Sequence, residues 1–371
     1  MLTRRSFLGS SAAAASLAIS SPALARVLYG PATGVAKLDS NENPYGPSPM
    51  AIKAMTEAVR DGAYYVGPSV STLLEMIAER FGIPAEQISL SSGSSGALKS
   101  LASAKLQEGS ILGPDLFWDT TTRFAMRQGG ELLRTPKTDD LGIDLDALYQ
   151  AITPSTSMVQ ICNPNNPTGK VVDADALRAF CIKASQKCTI LVDEAYNEIT
   201  DDPEGNSMID LVRAGHDVVV ARTFSKIYGM AGMRVGYMMA SPDTTEKMRQ
   251  FSNGNYNLNQ AGVAGAVASL NDEQFLVYSR NKIVEAREMI TEAVKANGLA
   301  AAPSSTSFVF INLGDLNADT FRAAMASRNI MVRGIYQDYT SWSRVSTGRL
   351  EDVERYTKAL PVVLEQVRRG A

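Results

Sequence analysis

Seven short apolar runs, spaced by stretches of helical periodicity, constrain this chain more than any other feature. They lie near residues 88–91, 110–113, 132–135, 158–162, 189–193, 217–221 and 235–240. Runs such as "TILVD" and "DVVVART" are apolar at consecutive positions, as in strands buried on both faces. Strands of that kind with helices between most of them predict an α/β fold, built on a mainly parallel seven-stranded sheet covered on both sides. "SVSTLLEMIAERFG" places Leu73, Leu74, Ile77 and Phe81 on one helical face. Beyond about residue 270 the pattern changes to a long charged helix, roughly 272–297, followed by α+β segments such as "SFVFINL" and "IMVRGIY". This suggests a large domain over 61–270 and a smaller one over 271–371. The Pro/Gly-rich "LDSNENPYGPSP" is too polar and broken for a core, so 26–60 reads as an arm lying over another surface and contributing to the small domain.

The first 25 residues stand apart. "MLTRRSFLGSSAAAASLAISSPALA" has a charged start, a modestly apolar middle and a closing Ala23-Leu24-Ala25, the layout of a cleaved secretory signal. Arg4 and Arg5 before Ser6, Phe7 and Leu8 give it the form of a twin-arginine signal, so the expected location is the periplasm or beyond. The apolar stretch is too short and too rich in Ser and Ala to span a bilayer, and no later run is long enough.

In an open α/β sheet, ligands collect outside the carboxyl ends of the strands. Here those ends carry "SSGSSGA", "NPNNPTG", "DEAY" and "TFSK". The chain has one histidine, His216, in a turn, which removes most histidine-based catalysis and most zinc sites; no metal is expected. A net charge of −3 gives no sign of a nucleic-acid partner. Three cysteines without a CxxC make a disulfide framework improbable, and Cys162, closing "MVQIC", reads as a small buried hydrophobe. Proton transfer is left to Lys, Tyr, Asp, Glu or Cys.

Each strand end has an ordinary reading and a chemical one. Ser94 and Ser95 open a helix, which is a cap or an anion site. Asp193 ends the apolar "TILV", as a helix cap or as a fixed negative charge for a ring nitrogen. Tyr196 offers a phenol three residues later. Asn166 belongs to a turn or donates to a ring oxygen. Lys226 is a lone amine past a buried strand. Thr223, Ser225 and Arg234 around it have the makings of a phosphate clamp. One ligand uses them all: pyridoxal phosphate, with an aldehyde for a lysine, a pyridine nitrogen for a carboxylate, a phenolic oxygen and a phosphate.

With "LDSNENPYGPSP", "NPNNPTG", "VDEAY", "TFSKIYGMAGMRVGY" and "IMVRGIYQDYTSWSRVSTG" in this order, the chain resembles fold-type-I pyridoxal-phosphate aminotransferases, and within them the histidinol-phosphate aminotransferase family. The resemblance implies that Lys226 joins the cofactor covalently and that Asp193 pairs with its ring nitrogen. Tyr196 and Asn166 contact the ring oxygen, and Ser94, Ser95, Thr223, Ser225 and Arg234 hold the phosphate. It implies that Trp118, in preference to Phe117, stacks on the ring, since "GPDLFWD" departs from the usual Pro-x-Tyr. Arg344 is the expected grip on the substrate's acid group, Arg333 a second substrate-side cation, and Tyr65 a residue reaching the partner subunit's phosphate in a homodimer. The expected partners are an amino acid and a 2-oxo acid. The family's usual acidic pair is replaced here by Ser95 and Gly96, and an exported enzyme does not meet a cytosolic intermediate, so the donor is left open. A decarboxylase of the threonine-phosphate type and a non-catalytic binder of the same cofactor are the alternatives.

Overall fold

The computed structural model describes residues 30–136 and 138–370; the expected signal, 1–25, lies outside them. Residues 30–35 form a short bend of their own, closed by Val35 N–H donating to the Ala32 carbonyl at 3.1 Å. Residues 36 onward form one compact unit.

It begins with a three-residue strand, β1 (Ala36–Leu38). The next seven strands are β2 (Ile88–Ser92), β3 (Ser110–Gly113), β4 (Leu132–Arg134), β5 (Thr156–Cys162), β6 (Thr189–Asp193), β7 (Val218–Thr223) and β8 (Val235–Met239). They make a single sheet of order β2-β8-β7-β6-β5-β3-β4, in which only β8 pairs antiparallel to its neighbours. The exception has a plain cause. Only the "FSKIYGMAGMR" loop separates β7 from β8, with no crossover helix of the kind a parallel return needs.

Alternate residues of the central strands enter two different cores. Ile111, Met158, Leu191, Val219 and Met238 pack on the face covered by the helix Ser94–Leu106. Leu112, Val159, Ile190, Val192 and Val220 pack on the other, with Leu73 and Ile77 from Pro68–Phe81. Period-two alternation inside a wholly apolar run thus supplies both faces at once. Gly82, in the left-handed region at φ 62°, ends the helix Pro68–Phe81 just after Phe81.

The remaining strands, β9 (Ala300–Ala301), β10 (Phe308–Asn312), β11 (Ile330–Val332) and β12 (Trp342–Ser346), form two small sheets: β12-β10-β9, and β11 paired in parallel with β1. β1 shares its core with β11 and the helix Leu350–Gly370. The helix Pro49–Ala58 instead sends Ala51 and Met55 into the large core. Between them, residues 39–48 carry the chain from the C-terminal core to the large one. That path takes the arm past the carboxyl ends of β5, β6 and β7. No helix among the described residues is long and apolar enough to cross a membrane.

Candidate active site

A cavity of about 670 Å³ lies at those strand ends. It is bordered by the arm (Asp39–Glu42), by the first residues of Ser94–Leu106, by the loops after β5, β6 and β7, and by Arg333, Tyr336, Gln337 and Arg344. Of the residues singled out in the sequence, Ser94, Ser95, Trp118, Asn166, Tyr196, Thr223, Ser225, Lys226, Arg234, Arg333 and Arg344 border it. Phe117 does not: it is wholly buried, with the Arg134 guanidinium 5.1 Å from its ring centroid. Asp193, 3% exposed, is enclosed in register with Cys162, which does border the cavity. Tyr65 is far more open, 79% exposed, and packs edge-on against Tyr256 with ring centroids 5.3 Å apart. Within one chain it is not brought to the site.

One end of the cavity is built for an anion. The helix Ser94–Leu106 has Gly93 as its N-cap; the Gly96 N–H is taken by the Gly93 carbonyl and the Ala97 N–H by Ser91 Oγ, so the Ser94 and Ser95 N–H groups are the ones left for an anion at the positive end of the helix dipole. Arg234, itself in the left-handed region at φ 55°, brings its guanidinium there, donating to the Ala231 carbonyl at 2.9 Å and reaching Ser225 Oγ at 3.4 Å. Thr223 Oγ1 donates to Ser225 Oγ at 2.9 Å. Two glycines make this approach possible. A Cβ on Gly93 (φ 67°) would lie 2.2 Å from Arg234 Nη2, and one on Gly236 would lie 2.1 Å from the Ser94 nitrogen. The cradle gathers backbone N–H, hydroxyl and guanidinium donors.

The titrating groups lie on the same cavity or at its wall. Lys226 is buried; burial, then the Arg344 guanidinium, lower its amine to about 8, with Asp193 opposing. Its Nζ donates to the Asn41 carbonyl at 3.0 Å. Burial pushes the Asp193 carboxyl up to about 6, against the Ala195 N–H that donates to its Oδ1 at 3.3 Å and the nearby Lys226. Enclosed at a strand end with one N–H donor, that carboxylate is short of a cationic partner, and a protonated ring nitrogen answers the deficit. Burial likewise raises the Tyr196 phenol and the Cys162 thiol, so neither ionises near neutral pH.

The donors are oriented by the groups around them. Arg344 Nη1 donates to Asn166 Oδ1 at 2.9 Å, which turns the Asn166 amide nitrogen away from the arginine. Asn163 and Asn165 of the same "NPNNPTG" loop serve the loop: Asn163 Oδ1 accepts from Val172 N–H and Asn165 Nδ2 donates to the Leu116 carbonyl, both at 2.9 Å. The second Arg344 Nη donates to the Asp39 carbonyl at 3.1 Å, while the buried Nε has no partner among the described residues. The residues present therefore fit pyridoxal phosphate: an anion cradle, an amine of lowered pKa, an under-paired carboxylate, and amide and phenol donors on one cavity.

The likeness to known proteins runs the length of this framework. The sequence profile of aminotransferase class I and II matches residues 33–360. The chain belongs to the class I and II aminotransferase family. It is 34% identical over 345 residues to histidinol-phosphate aminotransferase 2 of Ralstonia nicotianae, covering 92% of this chain and 91% of that protein. It is 33% identical over 334 residues to an aromatic amino acid aminotransferase of Thermobifida fusca, covering 89% and 91%. The crystal structure of histidinol-phosphate aminotransferase from Sinorhizobium meliloti in complex with pyridoxal-5'-phosphate superposes with a TM-score of 0.81 at 28% identity, over 90% of this chain and 91% of that one. This aminotransferase has the fold-type-I architecture and uses pyridoxal phosphate as its cofactor.

Several residues that matter to the aminotransferase's geometry were not singled out in its sequence. Asn41 and Asp39 lie in the quoted arm motif, but nothing in "LDSNENPYGPSP" says which of its polar groups turns inward. Arg222 and Glu194 flank Thr223 and Asp193. Glu194 is wholly buried, and Arg222 pairs with it at 2.6 Å and with Glu198 at 2.8 Å, tying the end of β6 to that of β7. A charged residue next to each site residue was the available signal. Asp119, buried beside Trp118, accepts from Arg123 Nε at 2.8 Å, from Arg134, and from Gln337 Nε2 at 3.2 Å.

Proposed function

We propose that the aminotransferase exchanges the amino group of an amino acid with a 2-oxo acid at this cavity, with Lys226 as the covalent anchor and proton carrier. The observation that carries the reading is the convergence of Lys226, Asn166, Tyr196, Arg234 and Arg344 on one cavity, with Asp193 enclosed in register with Cys162 at its wall. When bound, pyridoxal phosphate supplies an aldehyde that condenses with amines and a cationic ring that takes up the electron pair of a bond broken at Cα. With its pKa near 8, the Lys226 amine is neutral in roughly a quarter of molecules at pH 7.5, against about one in a thousand for an ordinary lysine. That neutral amine would anchor the cofactor and, when free of it, could take a proton from the donor's Cα and give it up again. Asp193 keeps the ring nitrogen protonated. Tyr196 and Asn166 would donate to the cofactor's ring oxygen, Trp118 would pack against its ring, and Ser94, Ser95, Thr223, Ser225 and Arg234 would hold its phosphate.

Arg344 offers its guanidinium to the acid group shared by donor and acceptor. Arg333, bonded to Arg344 backbone to backbone (3.0 and 3.3 Å), offers a second cation for a distal anionic or polar end of the donor. Exposed Tyr64, Tyr65 and Tyr256 support a homodimer in which Tyr65 reaches the partner's phosphate, and the twin-arginine layout of residues 1–25 supports export. The deciding experiment is borohydride reduction of the loaded enzyme followed by peptide mass mapping, which places the reduced cofactor on Lys226. A tag on another lysine overturns the assignment. A panel of donors, with histidinol phosphate beside neutral, aromatic and acidic amino acids, then identifies the substrate.

A further inference from the structure

Asn41 is buried on the arm and is held on three sides. Ser346 Oγ donates to Asn41 Oδ1 at 2.7 Å, Asn41 Nδ2 donates to Tyr196 Oη at 2.8 Å, and the Asn41 carbonyl accepts from Lys226 Nζ. An amide between two hydroxyls has two possible orientations, and Ser346 decides between them. Ser346 is fully buried, and among the described residues Asn41 Oδ1 is the acceptor its hydroxyl reaches. With the amide reversed, the buried Ser346 proton would be left without an acceptor, and leaving a buried donor unpaired is costly. Asn41 therefore presents its N–H to the Tyr196 oxygen. That occupies the phenol's acceptor side and leaves its O–H to point into the cavity that Tyr196 borders. Ser346 and Arg344 lie two residues apart on β12, on one face of the strand, so one short strand orients Tyr196 through Asn41 and Asn166 directly.

We infer that Asn41, its amide set by Ser346, is a positioning residue that aims the Tyr196 proton at the cofactor's ring oxygen. The inference rests on the role proposed for Tyr196. The charged and titratable groups facing Tyr196 are Arg344 from β12, Cys162 from the end of β5, Asp193 from the end of β6, and Lys226 beyond β7, whose amine lies 5.3 Å from the ring centroid. These groups, and Glu42 and Arg234 near Lys226, stay the same in every variant below, and the charge that Asn41→Asp itself adds is isolated in the Tyr196→Phe background.

The test is the pH midpoint of the visible absorbance of the enzyme loaded with pyridoxal phosphate. In Asn41→Asp the side chain keeps its size but only accepts, so it draws the protons of both Ser346 and Tyr196 and turns the phenol away from the cavity. The ring oxygen loses a donor and holds the proton it shares with the lysine nitrogen more tightly, and the midpoint rises by about one pH unit. Tyr196→Phe raises it at least as much. In the Tyr196→Phe background, Asn41→Asp adds only the smaller rise due to its own charge. Ser346→Ala, which frees the amide to reverse, gives a smaller rise that vanishes in that background, and it serves if Asn41→Asp does not load. An unchanged midpoint in Asn41→Asp overturns the inference. A rise of the same size with and without the Tyr196 hydroxyl also overturns it, since that is the mark of added charge alone. An unchanged midpoint in Tyr196→Phe is a different failure: it removes the role proposed for Tyr196, and the inference with it.

Discussion

Asp193→Asn separates what the fold tolerates from what the site needs. The carboxyl is enclosed at the end of β6, and burial lifts its pKa from 3.8 to about 6. The folded chain therefore binds this proton more tightly than the unfolded chain does. Well below pH 3.8 the group is neutral in both states and costs nothing. The cost grows as the pH rises through the interval up to 6, and it is complete above that. A shift of about two units corresponds to about 3 kcal/mol. Asparagine has the same shape and no charge. The cofactor-free variant should therefore exceed its cofactor-free parent by up to about 3 kcal/mol at pH 8, and by only about 1 kcal/mol at pH 4.5. Loading both proteins with pyridoxal phosphate reverses the order, because the parent's carboxylate then faces a cationic ring nitrogen. Turnover of the variant falls by orders of magnitude for the same reason. Urea unfolding of stripped and loaded proteins at the two pH values measures the first part, and single-turnover kinetics the second. A stability gain of equal size at both pH values, or turnover near the parent's rate, would refute the reasoning.

Three further expectations concern the rest of the cavity. Capture of pyridoxal phosphate by the stripped enzyme needs the neutral Lys226 amine, which is protonated below its lowered pKa, so the capture rate should climb with a midpoint near pH 8; a climb that continues past pH 10 contradicts the lowered value. Gly93→Ala drives a methyl group against the Arg234 guanidinium at a positive φ, and the dissociation constant for pyridoxal phosphate, read by equilibrium dialysis, should rise at least about tenfold, about 1.4 kcal/mol. Arg344→Lys should lower kcat/KM for every donor by about 2–4 kcal/mol through loss of the paired N–H fork, whereas Arg333→Ala should hurt only donors with a distal anionic or polar end; a donor panel that shows the reverse pattern exchanges the two roles.

The sheet was legible in the sequence because burial on both faces leaves a clear mark: "ILV" and "VVVA" are apolar at consecutive positions, as strands covered by helices on both sides require. The chemistry at the strand ends was legible for a related reason. Asp193 and Lys226 are ionisable residues set directly against apolar runs, which a core alone does not call for. The long charged helix after residue 270 and the seven strand positions follow from periodicity in the same way. Other features depend on groups far apart in the chain. That Asn166 faces the cavity while Asn163 and Asn165 hold their own loop is settled by where β6 and Leu116 lie. That Asn41 meets Tyr196, 155 positions away, and Ser346, 305 positions away, is settled by the arm's passage between two cores. The lowered pKa of Lys226 belongs to this second kind, since it comes from burial and from Arg344 on a strand of the other core. Sequence records which faces avoid water, because that preference is local and repeats along each element. Which polar group meets which depends on how the elements come together, and one asparagine looks like another until the packing gives it a partner.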